Sequence, residues 1–265
     1  MLTTSQPDIR ELGHAARLRT CVARAHVISA RHDIVTSKRA ETLHLVILGM
    51  AARYRMLTNG SRQITALILP GELCDLGYPV PRQGTGNVGA ITACTVGEIP
   101  RSALFDAGAL RPEWNAYAFQ TLAREMDIAS EWIVSLGRRS AYEATAHLFC
   151  ELWERLSAIG LTDATGFTFG LTQVDLADTL GLTPVHVNRT LRDLRQKGLL
   201  TIRGRRATIL DQAALAQAAD FDPSYLRSAK SARDRTNSRI DTDPRPFDRP
   251  FAGLAQEPGL AEPSA

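Results

Sequence analysis

Cysteine is scarce and scattered in this chain. Cys21, Cys74, Cys94 and Cys150 are the only four among 265 residues, with no C-x-x-C pair and no histidines clustered beside them. That excludes a disulfide scaffold, a local zinc pattern and the grouped thiolates of an iron–sulfur cluster. Buried thiols are the expected state, since a redox-sensing thiol needs exposure and a lowered pKa. Long apolar runs are missing as well. No stretch approaches the roughly 20 residues that span a bilayer. The first residues lack the basic-then-apolar pattern of a secretion signal, so a cytoplasmic, membrane-free protein is expected. Catalytic patterns are equally thin. The six histidines are dispersed, no G-x-S-x-G occurs and the carboxylates form no recognisable pair. No catalytic residue, metal or cofactor is expected, and the chain reads as a non-enzyme.

Charge of one sign is also modest overall, since the formal net charge is only +3. The distribution is more telling than the total. Between Pro184 and Leu210 lie Arg189, Arg192, Arg195, Lys197, Arg203, Arg205 and Arg206 against the single acid Asp193.

Short β-branched or apolar runs punctuated by turn residues occupy residues 31–103: Leu43–Leu48, Gln63–Leu69 and Ala90–Val96. They predict an antiparallel sandwich or barrel. Gly49, Gly60 and Gly71 recur at intervals of 11, and Asn59-Gly60 is a hairpin signal. After Pro112 the punctuation stops. Trp114, Tyr117, Ala118, Leu122, Met126, Ala129, Ile133 and Leu136 fall at three- or four-residue steps, which predicts a long amphipathic helix. It could lie on its own domain or pair with a copy of itself. Gly137 then precedes a second helical stretch, Arg138 to Ala158. The chain therefore divides into an N-terminal helical segment (1–30), a β domain (31–110), the long helix (111–137), a C-terminal domain (138–220) and a proline-rich tail (228–265) whose composition predicts disorder.

The most informative stretch is 171–200. Thr172 is a good N-cap for a short helix ending near Leu180, and Gly181 supplies the turn. Thr183 caps a second helix with Pro184 at its first position. Small Ala177 lets the two helices approach, while Val187, Leu191 and Leu194 give the second a buried stripe. Its other face carries His186, Asn188, Arg189 and Arg192, which are long and polar enough to reach groove edges and phosphates. Leu200-Thr-Ile-Arg-Gly-Arg-Arg-Ala-Thr-Ile-Leu210 reads as two strands joined at Arg203-Gly204-Arg205, a basic hairpin suited to a phosphate backbone. Asp211 caps a last helix, roughly Gln212 to Ala219. A helix pair of this kind can also be a mere packing motif. The basic second helix and the basic hairpin favour nucleic acid.

These residues resemble the Crp/Fnr family of bacterial transcription regulators, over about residues 25–220. The likeness extends to Leu69-Pro-Gly-Glu-Leu73 and to Thr92-Ala-Cys-Thr-Val-Gly-Glu-Ile99. It implies an α+β protein: an antiparallel β jelly roll of the cyclic-nucleotide-binding type, a long dimerisation helix and a C-terminal winged helix-turn-helix. The implied partners are a second copy of the chain, double-stranded DNA with a palindromic operator, and RNA polymerase. The implied DNA-binding residues are Thr172, Thr183, His186, Asn188, Arg189, Arg192, Arg203, Arg205 and Arg206.

The departure from the family lies in the ligand pocket, whose candidates are Gly71, Glu72, Asp75, Arg82, Gly84 and Thr85. Nucleotide-binding members resemble one another in a Gly-Glu pair followed by Arg-Ser-Ala. Here the arginine and serine positions are Gly84 and Thr85, the acidic position falls at Asp75, and Arg82 is the only nearby substitute. A cyclic phosphate would lose its bidentate partner, so cyclic AMP is not the expected effector. Gly84-Thr-Gly-Asn-Val-Gly89 also matches the dinucleotide spacing G-x-G-x-x-G, but a strand-like run follows it where that fingerprint needs a helix. Two other readings stand beside the regulator: a ligand sensor with a degenerate DNA-binding half acting through a protein partner, and a small-molecule enzyme built on the β domain.

Overall fold

Residues 16–35, 41–76, 87–104 and 112–226 are described by the computed structural model. The chain enters through α1, helical over 16–20, and then forms β1 (Arg24–Ile28), β2 (Asp33–Val35), β3 (Thr42–Leu48), β4 (Ala51–Met56), β5 (Arg62–Ile68), β6 (Asn87–Ala90) and β7 (Cys94–Pro100). Two antiparallel sheets result, one ordered β1-β7-β3 and the other β2-β6-β4-β5. Ile34, Val46, Ala51, Ile68, Val88, Ala90 and Val96 fill the space between them as the core of the expected roll. The first sheet is covered on its other face as well. Leu43, Leu45, Leu73 and Ile99 pack there with Leu18 of α1, Leu104 of α2 (Arg101–Leu104) and Trp114. Burial on both faces is why buried positions run consecutively from Leu43 to Val46 rather than alternating.

Two expectations for the β region need correction. Arg24–Ile28, placed in an N-terminal helical segment, is a strand paired with β7. Ala90–Val96 is not one strand, because Ile91–Ala93 turn a corner between the sheets. The backbone amides of Ile91 and Thr92 both donate to the Met50 carbonyl, and the Met50 amide donates to Thr92 Oγ1 at 2.9 Å. The corner presses on the β3–β4 turn so closely that a Cβ at Gly49, whose φ is +91°, would lie 2.4 Å from the Ala93 carbonyl oxygen. Only glycine fits there.

The long helix is α3 (Pro112–Arg138), followed by α4 (Ala141–Ala158). Gly137 lies inside α3, so the break falls later than expected, where Ser140 and Glu143 form a reciprocal capping box for α4. The apolar residues of α3 also divide between two faces, which the single predicted stripe had merged. Trp114, Ile128 and Trp132 are buried, with Leu122 half-buried beside Trp114's cluster. Phe119, Met126 and Ile133 are 75%, 70% and 69% exposed.

Beyond α4 come β8 (Gly166–Thr168), α5 (Gln173–Leu180), α6 (Pro184–Gln196), β9 (Leu200–Arg203), β10 (Arg206–Ile209) and α7 (Gln212–Ala218). One core runs from β5 into this region, joining Ile64 and Leu67 to Trp132, Phe149, Trp153, Phe167, Leu176 and Val187. A buried polar network crosses the same junction. Arg155 donates to Glu151 at 2.9 Å, to Glu72 at 2.9 Å and to the Leu67 carbonyl at 2.7 Å. Glu151, fully buried, also accepts from Trp132 Nε1 at 2.9 Å and the Tyr225 hydroxyl at 3.2 Å. Burial opposes the charge on Arg155, and the two carboxylates more than offset it, so its pKa is raised.

Among the described residues no helix is long and apolar enough to cross a membrane. Cys74, Cys94 and Cys150 are buried and Cys21 partly so, all four as free thiols. Burial pushes the Cys150 thiol up to about 12 and raises Cys74 and Cys94 as well, which works against thiolate reactivity.

Arg155→Met strands the Glu151 carboxylate in the core and should cost about 3–5 kcal/mol of unfolding free energy in urea. Adding Glu151→Gln to that variant removes the stranded charge and should recover a large part of the loss. His147 provides a second test. Burial first, and Arg139 second, push its imidazole from 6.5 down to about 4, although Glu131 Oε2 lies 3.6 Å away. Below its unfolded value the unfolded chain takes up a proton that the fold resists. Stability present above pH 6.5 is therefore lost as the pH falls towards 4, by about 3 kcal/mol at about 1.4 kcal/mol per pKa unit. Urea titrations across that window should be steeper for the wild type than for His147→Gln.

Candidate nucleic-acid interface

Local signals build the helix pair. Thr172 caps α5: its hydroxyl accepts from the Asp175 amide at 3.2 Å while the Asp175 carboxylate accepts from the Thr172 amide at 2.9 Å. Gly181 then turns the chain at φ +64°, the left-handed conformation expected there. Thr183 Oγ1 accepts from the His186 amide at 3.2 Å, and Pro184 stands at the first position of α6. Buried Ala177 brings the helices together, with the Leu182 amide donating to its carbonyl. Val187, Thr190 and Leu194 form the inner stripe of α6. Leu191 is only half-buried, at the edge of that stripe.

The outer face of α6 presents His186, Asn188, Arg189 and Arg192, all exposed, together with Val185. Asn188 donates to Gln173 Oε1 of α5 at 3.2 Å. Thr172 is exposed too, but its hydroxyl is engaged with Asp175 Oδ2 at 2.7 Å. Thr183 is exposed beside it as the cap of α6.

Strands β9 and β10 form the basic hairpin, with Arg203 and Arg205 exposed about the Gly204 turn. The sequence reading missed β8, which makes this a three-stranded sheet in the order β8-β10-β9. Its signal was the alternation Gly166-Phe-Thr-Phe-Gly170, whose Phe167 and Phe169 are buried. Arg206 differs from the other hairpin arginines, because its guanidinium pairs with Asp163 at 2.7 Å. The Thr165 amide, with Arg206, holds the Asp163 carboxyl down at about 2.

Arg189, Arg192, Arg195, Arg203 and Arg205 make no ion pair with a described residue. Lys197 lies 4.3 Å from the Tyr142 ring centroid as a cation–π contact. Beside this surface opens a cleft of about 730 Å³. Asn188, Arg192 and Arg195 of α6 and Arg205 of the hairpin line one side, and the Ile91–Ala93 corner lines the other.

The roll also grips α5 directly. Arg62 of β5 reaches Asp175 and Asp178, each at 2.6 Å, and Arg31 approaches Asp175 at 3.5 Å. Burial raises the pKa of Asp175, but hydrogen bonds from Thr172 and Arg62 outweigh it and hold the carboxyl below its ordinary range. No sequence signal marks these pairs, since the Arg62 partners lie 113 and 116 residues away.

The ligand-pocket candidates fall into two groups. Gly71 turns the chain at φ +92°. Glu72 is taken up by Arg155 and by the Leu69 amide at 2.9 Å. Asp75 is buried against His44, accepting from its amide at 2.9 Å and lying 2.8 Å from its Nδ1. Arg82, Gly84 and Thr85 lie outside the described residues, as does the tail 228–265.

The family model of a Crp-like helix-turn-helix domain matches residues 143–218, the segment that carries α5, α6 and the hairpin. The chain is 30% identical to the transcriptional activatory protein AadR of Rhodopseudomonas palustris over 175 residues, covering 65% of this chain and 71% of AadR. It is 29% identical to the nitrogen fixation regulation protein FixK of Azorhizobium caulinodans over 177 residues, covering 66% of this chain and 71% of FixK. The solved structure of FixK2 from Bradyrhizobium japonicum superposes with a TM-score of 0.64 at 26% identity, covering 74% of this chain and 97% of FixK2. With a capped helix pair and a basic hairpin standing on a β roll, and with relatives that match across all of these parts, the chain belongs to the Crp/Fnr family of transcription regulators.

Proposed function

We propose that this regulator binds a palindromic DNA operator as a dimer, with α6 in the major groove and the β9–β10 hairpin against the phosphate backbone. The observation that carries the reading is the exposed outer face of α6, where His186, Asn188, Arg189 and Arg192 stand free of acidic partners among the described residues. Arg189 suits the paired acceptors of a guanine, and Arg192 and Arg195, farther along, suit phosphates. Arg203 and Arg205 add backbone affinity. Thr183 stands at the exposed N-terminus of α6, where a phosphate is favoured, whereas the amide and hydroxyl of Thr172 are already engaged with Asp175. Arg206, already paired with Asp163, is the least available of the candidates.

Dimerisation falls to the outer face of α3. Phe119, Met126 and Ile133 are exposed and seven residues apart, and Ala116, Ala123, Ser130 and Gly137 alternate with them at steps of three and four residues. Large residues alternating with small ones at heptad spacing are the pattern of a close helix–helix seam. Two copies joined there would present α6 to half-sites about one DNA turn apart. RNA polymerase is the further partner of this reading. Glu72 and Asp75 are occupied by protein groups and the family arginine is absent, so the regulator acts without cyclic AMP.

Selection from a random duplex library, followed by titration of the winner at several salt concentrations, tests the whole reading. A palindromic consensus bound with a steep salt dependence is expected. No enrichment would count against it, and saturable cyclic AMP binding in calorimetry would overturn independence from that nucleotide. Arg189→Ala should weaken operator binding by about 1–3 kcal/mol and relax preference at one base pair per half-site. An equal loss on every sequence would make Arg189 a phosphate contact instead. Met126→Glu with Ile133→Glu should yield monomers in sedimentation and lower operator affinity, leaving the circular-dichroism spectrum of the fold intact.

A further inference from the structure

We propose that Val185 is a specificity-determining residue whose side chain reads the C5-methyl group of a thymine in each half-site, an assignment that rests on the DNA-binding reading above. Val185 is 77% exposed, the most exposed large apolar residue among those described. It occupies the second position of α6, directly after Pro184. Isolated apolar residues on a surface are ordinary, but this one stands where neither helix stability nor packing favours it. Valine is a poorer helix former than alanine or glutamate. The positive end of the helix dipole would favour an acid here, yet the first turn of α6 carries none. An acid in that turn would face the phosphates and the purine acceptors that Arg189 is placed to meet.

The neighbours of Val185 give its direction. Asn188, Arg189 and Arg192 lie three, four and seven residues on, which sets all four side chains on one helix face. Val187, Thr190 and Leu194 hold the opposite face in the core, so α6 cannot roll to bury Val185 without exposing them. Thr183 and Pro184 fix the first turn, which leaves the two valine methyls projecting from the end of the helix that enters the groove. In the major groove the apolar partner for such a group is the thymine methyl, since the other edges offer hydrogen-bonding atoms that valine cannot satisfy.

The test replaces each thymine of the selected operator by deoxyuridine, which deletes the methyl and keeps the base pair. For the wild-type full chain, one thymine per half-site should show a loss of about fourfold, the worth of one buried methyl group. For Val185→Ala that penalty should vanish while the other positions respond as before. Val185→Thr, which keeps the shape and replaces one methyl by a hydroxyl, should retain part of it. A consensus without thymine in the half-site overturns the assignment, and so does a wild type indifferent to every deoxyuridine. A Val185→Ala protein that keeps the full penalty overturns it equally. Absence of any sequence-specific duplex binding by the wild type would remove the underlying DNA-binding reading itself, an outcome distinct from specific binding that ignores the methyl.

Discussion

Arg155 is the charge on which the arrangement of the molecule depends. It sits on α4, is almost wholly buried, and is answered by Glu151 on its own helix and Glu72 at the end of the β roll. An ion network of this kind adds little net stability over a well-packed apolar core, because desolvation consumes most of the Coulombic gain. What it does add is geometry. Apolar contacts between β5 and α4 would tolerate sliding, whereas a guanidinium with three fixed acceptors, including the Leu67 carbonyl, tolerates one relation between them. Trp132 and Tyr225 bond the same Glu151, so α3 and the last described turn are registered against that point too.

The same network gives Glu72 a structural role. A carboxylate that accepts from Arg155 and from the Leu69 amide has its lone pairs engaged within the protein. Recruiting it for a small ligand would leave the buried Arg155 with one of its two carboxylate partners, a cost that a free surface carboxylate would not carry. The Asp75–His44 pair imposes a like cost. Glu72 thus serves the junction of the roll with α4, while Asp75 is taken up within the roll by His44.

The sequence was most legible where the determinants are local. Thr172, Gly181, Thr183 and Pro184 each act within a few residues, and α5 begins and ends, and α6 begins, where those residues place them. The hairpin strands and Asp211 as the cap of α7 follow the same rule. Legibility failed where distant contacts decide. Ile91–Ala93 have strand-forming side chains, yet hydrogen bonds to Met50, some 40 residues earlier in the chain, bend them into a corner. On α3 the three- and four-residue spacing was visible, but which apolar residues face the roll depends on the partner surface, and the stripe divided. Glu151 and Arg155 were invisible for a different reason. Charged residues on an amphipathic helix read as solvated, and the matching Glu72 lies 83 residues away.

Long-range pairing also shapes the basic face itself. Helix α5, which packs against the arginine-rich α6, carries two acids, Asp175 and Asp178. In the folded protein Arg62 binds both and Arg31 approaches one, so the acids of α5 are answered by the roll. Asp193, the one acid of the basic segment, is half-buried one turn after Arg189 and forms no ion pair with a described residue. The arginines of α6 and of the hairpin tip are left with their charge uncompensated and directed outward. That condition is unfavourable for the protein alone, since like charges held close repel, and it is relieved when an anion such as a phosphate backbone arrives. The positive face thus stands beside a helix whose own acids are already taken up by the β roll.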